Sequence, residues 1–269
     1  IEINLVKKLK SNIENSVEIN ELEISILACY MPLIDSDVIR DQISNYSSSK
    51  SLFNDLIKFQ IKDFIDEQNL KNTIKSQEIL DKTSNKVRDQ YEENPYPRWR
   101  YADIHPKENF LNEVNSDIYP NKILLNNELK KPKILIAGCG TGQQLARKIN
   151  YKDVDILAID LSLSSLAFAK RKMQELKINN IEFLHTDLLK LQKLRKKFNI
   201  IECMGVLHHL ENPEQGLNVL LDLLETNGFL KLGLYSELAR QHIVEVRNFI
   251  SENKFKNNIE DIRNFREIA

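Results

Sequence analysis

Cysteine is scarce in this sequence, with only Cys29, Cys139 and Cys203 among 269 residues. The three are too few and too widely spaced to form a disulfide framework or a zinc-binding motif. Small domains stabilised by disulfides or by a structural zinc ion are therefore excluded. Such scarcity is typical of a reducing compartment. We therefore expect a cytoplasmic protein that holds no metal.

Long apolar runs and an excess of one charge are also missing. We find no signal peptide and no run of about 18 or more apolar residues, so the sequence predicts no membrane partner. The 38 basic and 39 acidic residues give a formal net charge of −1, which provides no overall basic field for nucleic acid. The basic cluster at 190–197 is short and predicts a solvated helix face. Nucleic acid is therefore not expected as a partner.

The first 92 residues contain no glycine and no alternating strand pattern. Apolar residues recur at helical spacing within 21–34 and 52–65, and a third helix is predicted from about 69 to 92. These features predict an N-terminal helical subdomain over residues 1–92.

Residues 93–131 differ in composition from the helical region. The stretch "NPYPRWRYADIHP" holds three prolines, two tyrosines and the only tryptophan, which predicts a loop with extended backbone. Tyr91, Tyr96 and Trp99 could cover a bound cation as a lid, and Arg98 could hold a carboxylate. Alternatively, the aromatic side chains only staple the helical subdomain to the remainder of the chain. Both interpretations stay open.

Strands and helices alternate over residues 132–269. This alternation predicts an α/β fold, a Rossmann-like parallel sheet flanked by helices, with its ligand beyond the carboxyl ends of the strands. The predicted strands are 134–137, 155–160, 181–185, 198–204 and 229–235, and the predicted helices are 143–149, 163–176, 213–225, 236–252 and 259–267.

A glycine-rich loop follows the first strand in "ILIAGCGTGQQ". Gly138, Gly140 and Gly142 are three of only seven glycines in the chain. The dinucleotide fingerprint would place a glycine where Gln143 stands, so the spacing disfavours a nicotinamide-dependent oxidoreductase. A loop of this kind that opens a helix presents backbone N–H groups to a ligand.

Acidic residues at the ends of the next two strands extend this ligand site. Asp160 lies 22 residues after Gly138 and ends the second strand, where its carboxylate can accept hydrogen bonds from both hydroxyls of a ribose. Asp187 follows the third strand and can receive the amine of an adenine that packs on Leu188, although it could instead cap the next helix. Backbone carbonyls near Cys203, on the fourth strand, could accept from an ammonium group.

A family resemblance emerges from five motifs taken in order. "ILIAGCGTGQQ", "LAIDLSLSSLAFAK", "IEFLHTDLL", "FNIIECMGVLHHLENPEQGL" and "LLETNGFLKLGLYSELAR" together resemble the class I S-adenosylmethionine-dependent methyltransferases over about 100 residues. The resemblance implies S-adenosylmethionine as cofactor, with its methionine end on the glycine loop, its ribose on Asp160 and its adenine near Asp187. "YEENPYPRWRYADIHP" is similar to a segment of a bacterial subgroup that often carries tetratricopeptide repeats, and no such repeats occur here.

The end of the chain departs from the family pattern. The family sheet has seven strands and ends in an antiparallel hairpin, whereas helix-like sequence follows Tyr235 here and the C-terminal strands are missing. An uncovered apolar sheet edge promotes association. We therefore expect the natural protein to be longer or to form a homodimer.

The chemistry implied by the resemblance is transfer of a methyl group by in-line displacement, which depends mainly on alignment and exclusion of water. His208 and His209 follow the fourth strand and are candidate bases, although one could pack while the other is solvated. Gln143 and Tyr235 are candidates to line the cofactor or acceptor site. We expect a small-molecule acceptor, with a protein or peptide methyltransferase and a cofactor-binding regulator or pseudoenzyme as alternatives.

Overall fold

The computed structural model describes residues 2–102, 110–122, 131–147 and 154–268. The N-terminal region is helical, as predicted, and its apolar side chains form a core of their own around Leu27, Ile39 and Ile57. Its helices are α1 (Glu2–Glu14), α2 (Glu21–Ala28), α3 (Asp37–Ile43), α4 (Ser51–Ile57), α5 (Asp63–Lys71) and α6 (Lys82–Glu93), and a π-helical turn (Lys58–Lys62) joins α4 to α5.

The single helix predicted over 69–92 is wrong. Between α5 and α6 the chain forms a two-residue strand, β1 (Lys75–Ser76), which lies parallel to β4 (Ile181–His185). Asp81 then starts α6 as its N-cap, because its carboxylate accepts a hydrogen bond from the backbone N–H of Ser84 at 2.7 Å. A strand of two exposed polar residues gives no alternating pattern, which is why the sequence does not reveal it.

The predicted Rossmann-like parallel sheet is confirmed. In addition to β1 and β4 it contains β2 (Lys133–Ala137), β3 (Asp155–Asp160), β5 (Phe198–Met204) and β6 (Leu224–Gly233). Within the described ranges the sheet has six strands in the order β1-β4-β3-β2-β5-β6, one more than the five predicted, and every pairing is parallel. The chain order reverses between β2 and β5, so a crevice opens at the carboxyl ends of these two strands.

Helices cover both faces of the sheet. α8 (Gln143–Arg147), α9 (Leu163–Glu175) and α10 (Pro213–Leu223) follow successive strands, and α7 (Phe110–Asp117) precedes β2. Alternate residues of β2 enter two different cores: Ile134 and Ile136 pack on one face and Leu135 and Ala137 on the other. α11 (Gln241–Glu252) and α12 (Ile259–Ile268) follow β6 and bury none of their residues. Residues 103–109 and 123–130 of the predicted linker, and 148–149 of a predicted helix, lie outside the described residues.

Buried ion pairs join the helical region to the sheet domain. Arg171 on α9 is only 6% exposed, and its guanidinium contacts Asp63 at 3.2 Å, Glu67 at 3.0 Å and Glu175 at 2.6 Å. Arg98 also donates to both carboxylate oxygens of Glu67, at 2.8 and 3.0 Å. Lys58 of the helical region also pairs with Asp63, at 2.9 Å. The pairs that Arg171 makes with Asp63 and Glu67 hold α5 directly on α9.

Candidate active site

A cleft of about 260 Å³ opens at the carboxyl ends of the central strands and is closed on one side by α6. It lies at the reversal of strand order, where the fold predicts a ligand. The predicted site residues that line it are Gly138, Gly140, Gln143, Asp160, Asp187, Leu188, Tyr91, Tyr96 and His209.

The glycine loop forms the floor of the cleft. A Cβ atom added at Gly138 would lie 2.2 Å from Cγ2 of Val206, and one added at Gly142 would lie 2.7 Å from the Cβ of Ala169, so both glycines are required by packing. Gly140 has a φ of +51°, and an added Cβ would meet nothing within 4 Å. The loop therefore leaves a space above Gly140 in which a ligand can approach the bare backbone.

Asp160 faces this loop, as predicted. Its carboxylate accepts hydrogen bonds from the backbone N–H of Gly140 at 2.7 Å and of Ser162 at 2.9 Å. Burial raises the pKa of Asp160, and the two N–H donors oppose that rise. A carboxylate offers about four lone-pair sites, so two remain for the hydroxyls of a ribose.

Asp187 is buried at the end of the cleft near β4. Its carboxylate accepts from the backbone N–H of Leu189 at 2.9 Å and caps the 3₁₀ turn Leu188–Leu194, which is the alternative role considered for it. It lines the cleft as well, together with the buried side chain of Leu188. Capping one N–H leaves acceptor capacity for the amine of an adenine.

The start of α8 carries an acceptor that lacks a partner. Gln144 lines the cleft beside the glycine loop, and its Oε1 is buried without a hydrogen-bond partner among the described residues. An ammonium group placed on the loop would satisfy this oxygen. Asp187, the free lone pairs of Asp160, and the space at Gly140 with this acceptor fit the adenine, the ribose and the amino-acid end of an adenosyl amino acid, in that order.

Cysteine chemistry finds no support in the geometry. Cys203 is fully buried within the sheet core, and the cleft is lined instead by Met204, Gly205 and Val206, which follow it. Burial raises the pKa of the Cys203 thiol to about 12 and that of Cys139 well above its ordinary value. Both thiols are therefore protonated at neutral pH and are poor nucleophiles.

The aromatic residues of this segment lie in two different places. Trp99 is buried, and its indole N–H donates to the backbone oxygen of Thr141 at 2.9 Å, while the Thr141 hydroxyl donates to the carbonyl of Pro97 at 2.6 Å. Trp99 thus fixes the segment to the glycine loop, and Arg98 fixes it to α5 through Glu67. Neither residue lines the cleft. Tyr91 and Tyr96 do line it, and Tyr96 is 76% exposed at the mouth.

Glu92 anchors the end of α6 to the start of α9. Its carboxylate accepts from the Ser162 hydroxyl at 3.0 Å and from the Ser164 backbone N–H and hydroxyl at 2.8 and 2.7 Å, and it pairs with Lys71 at 2.9 Å. Burial alone would raise its pKa, but the bonds from Ser164 and Lys71 lower the pKa of Glu92 to about 2. A negative charge at a helix N-terminus adds to this stabilisation.

Replacing Glu92 by glutamine is expected to lower the melting temperature by a few degrees at pH 7. Because the folded-state pKa is depressed, the contribution is fully present above the unfolded value of about 4.3 and is lost as the pH falls towards 2. Thermal denaturation at pH 7, 5 and 3, with the exposed neighbour variant Glu93→Gln as control, measures this. An equal difference between wild type and Glu92→Gln at pH 7 and pH 3 would contradict the assignment.

The two adjacent histidines occupy different environments. His209 lines the cleft with its ring edge-on to Tyr91 at 6.5 Å, and burial lowers its pKa, so it is neutral at pH 7. His208 lies beside the cleft, where burial, His209 and Arg240 lower its pKa. Tyr235 stacks on His208 at 4.0 Å, carries Arg240 over its ring and is 60% exposed. The structure therefore brings His209 to the cleft and places His208 and Tyr235 next to it.

The sequence did not predict that one face of α6 lines the cleft. Ser84, Val87 and Tyr91 line the cleft at i, i+3 and i+7, which is one face of a helix. This spacing was present in the sequence, but nothing local connects α6 with the distant glycine loop. Thr186 and Val206 also line the cleft without having been predicted.

In the part of the chain that the structure describes, no group of three or more histidine, cysteine or acidic side chains could hold a metal ion. No helix among the same residues has both the length and the apolarity needed to cross a bilayer.

Comparisons with known proteins agree with this geometry. A family model described as a methyltransferase domain matches residues 134–228, from β2 to the middle of β6. An uncharacterised protein of a Synechococcus strain is 36% identical over 126 residues, which are 46% of this chain and 30% of that protein. A ubiquinone biosynthesis O-methyltransferase of Rickettsia typhi is 30% identical over 136 residues, which are 49% of this chain and 53% of that protein.

A solved structure extends the comparison. PKMT2 from Rickettsia typhi in complex with AdoHcy aligns with a TM-score of 0.46 and 27% identity over 65% of this chain and 33% of that one. This chain spans 30% and 57% of the lengths of the first two curated relatives that it matches. Residues 134–228 therefore carry a methyltransferase domain, and the parallel sheet and cleft around them have the arrangement expected of a class I S-adenosylmethionine-dependent methyltransferase.

Proposed function

We propose that this protein transfers the methyl group of S-adenosylmethionine to a small-molecule acceptor in the cytoplasm. The observation that carries the proposal is the carboxylate of Asp160, which is held against the glycine loop by the N–H of Gly140 at the mouth of a parallel sheet. Several curated relatives are named ubiquinone biosynthesis O-methyltransferases, and this supports a small-molecule acceptor here.

Different residues of the cleft bind different parts of the cofactor. The glycine loop and the Oε1 of Gln144 hold the amino-acid end, Asp160 accepts from the ribose hydroxyls, and Asp187 accepts from the adenine amine. When bound, the cofactor supplies an electrophilic methyl carbon on a sulfonium. The face of Tyr91 stabilises a nearby cation by roughly 0.5–2 kcal/mol.

The chain would hold the acceptor in line with the methyl carbon, so that an acceptor lone pair would form the new bond as the carbon–sulfur bond breaks and leaves its electrons on sulfur. The leaving group is neutral, so the chain need not protonate it. His209 is the candidate to take a proton from the acceptor, because it lines the cleft and its lowered pKa keeps it neutral. His208 is the second candidate, because both of its ring nitrogens are buried and find no hydrogen-bond partner in the part of the chain that the structure describes.

A protein or peptide acceptor is the alternative that a specific observation favours. The helical region exposes large apolar side chains, including Ile3 on α1, Leu22 on α2 and Leu52 on α4. They lie on three different helices, which favours a scattered surface over a single groove, so we rank this alternative second.

Homodimer formation through β6, the edge strand of the described sheet, is part of the same proposal, and analytical ultracentrifugation tests it.

Release of S-adenosylhomocysteine tests the proposal. Wild-type protein is incubated with S-adenosylmethionine and pools of small phenols, amines, thiols and carboxylic acids, or with protein extracts, and the product is quantified. Release that depends on a small-molecule pool supports the proposal, and release that depends only on protein supports the alternative. Tight cofactor binding without release in any pool would contradict both and indicate a regulator or pseudoenzyme.

A further inference from the structure

Ser84 on α6 has a buried hydroxyl that nothing in the described structure satisfies. The residue is 2% exposed, and its Oγ has no hydrogen-bond partner, although the backbone N–H of the same residue is bonded to Asp81. Ser84 also lines the cleft. A buried hydroxyl without a partner is destabilising, so its retention at the wall of a binding site indicates a ligand that completes it.

The chain before α6 fixes which end of the cleft Ser84 reaches. The backbone N–H of Gln77 donates to the carbonyl of His185 at 2.8 Å, and the Thr186 hydroxyl donates to Oε1 of Gln77 at 2.7 Å. The Lys190 side chain also donates to the carbonyl of Glu78. The segment that leads into α6 therefore runs along the end of β4, beside Asp187.

The other end of α6 lies over a different part of the site. Tyr91 is seven residues after Ser84, a rise of about 10 Å along the helix, and its ring faces His209 at 6.5 Å. Its carbonyl accepts from the Ser162 hydroxyl at 3.0 Å, next to Asp160. α6 thus crosses the cleft from the Asp187 end, where Ser84 lies, to the His209 end.

We propose that Ser84 is a cofactor-binding residue whose hydroxyl hydrogen-bonds the purine of S-adenosylmethionine, with Asp187 on the opposite wall. This inference rests on the proposed function. A hydroxyl both donates and accepts, so it can pair with a ring nitrogen or with the exocyclic amine of adenine. The N-terminal helical region is then a part of the cofactor site, and binding of the cofactor stabilises the packing of α6 on the sheet domain.

The test compares two ligands on Ser84→Ala by calorimetric titration. S-adenosylhomocysteine contains the amino-acid end, whereas methylthioadenosine lacks it and keeps the adenosine. We expect both ligands to bind about 3- to 10-fold more weakly than to wild type, by the same factor. Because the substitution removes an unsatisfied hydroxyl, the melting temperature without ligand should be equal or higher.

Thr83→Ala is the matched control, because Thr83 lies in the same turn of α6 and does not line the cleft. Unchanged binding of both ligands to Ser84→Ala would overturn the proposal, as would weaker binding of S-adenosylhomocysteine with unchanged methylthioadenosine. A lower melting temperature with equal losses in both variants would indicate a structural role and also overturn it.

The proposed function is tested separately, by measuring ligand binding and methyl transfer with the wild-type protein. Binding of both ligands without methyl transfer to any acceptor would overturn the proposed activity and leave the role of Ser84 standing. Absence of any binding by the wild-type protein would overturn both.

Discussion

Replacement of Asp160 by asparagine is expected to weaken the binding of S-adenosylhomocysteine by at least about 100-fold. The carboxylate now accepts from the N–H groups of Gly140 and Ser162 and keeps two lone pairs for the ribose. Charge-assisted hydrogen bonds contribute roughly 1.5–3 kcal/mol each, and two such bonds to the ribose exceed two factors of ten. The amide of asparagine also turns a donor towards at least one neighbour that requires an acceptor.

Calorimetric titration measures this effect, with Asp155→Asn as the matched control. Asp155 begins the same strand, β3, at the opposite edge of the sheet, and pairs with Lys131 on the surface. The control should bind the ligand as wild type does. Affinity of Asp160→Asn within about 3-fold of wild type would show that the carboxylate does not hold the ribose.

Replacement of Arg171 by methionine is expected to destabilise the fold by about 2–3 kcal/mol, somewhat less than when a buried charge loses its only partner. The substitution removes the cation that Asp63 and Glu67 share, although Lys58 still contacts Asp63 at 2.9 Å and Arg98 still contacts Glu67 at 2.8 Å. Removing one partner from a buried ionic cluster costs more than its pairs contribute, because the remaining buried charges are less well compensated.

Urea denaturation of Arg171→Met and Arg88→Met tests this expectation. Arg88 pairs with its neighbour Asp89, which is largely exposed, so the control should lose at most about 1 kcal/mol. The triple variant Asp63→Asn, Glu67→Gln, Arg171→Met should recover part of the loss, because no buried carboxylate then needs a cation. Lys58 and Arg98, which lose these partners, are 44% and 30% exposed and can be solvated. A loss below about 1 kcal/mol for Arg171→Met would show that α5 does not depend on this pairing.

The sheet domain could be predicted from sequence because each of its strands carries a strong local signal. β3, β4 and β5 match the predicted bounds, since each is an apolar run that ends at polar or turn residues. β6 begins five residues earlier than predicted, at Leu224, because α10 ends at Leu223 and the chain passes at once into extended backbone.

The position of the cleft at the strand ends could be predicted in part for the same reason. The glycine loop, Asp160 and Asp187 follow strand ends, and the topology of a parallel sheet brings strand ends together. Ser84 and Val87 come from a region joined to the sheet by β1, whose two residues are too short for a period to be seen. Arg98 could not be assigned either, because its partner Glu67 lies 31 residues away on a helix whose packing against α9 no local pattern predicts.

Calorimetric titration of the wild-type protein with S-adenosylhomocysteine tests the central claim most directly, with NADH as the competing ligand. The geometry of Gly140, Asp160 and Gln144 predicts one site per chain for the adenosyl amino acid and no displacement of it by NADH. Absence of any heat of binding with S-adenosylhomocysteine, or its displacement by NADH from that cleft, would contradict the account.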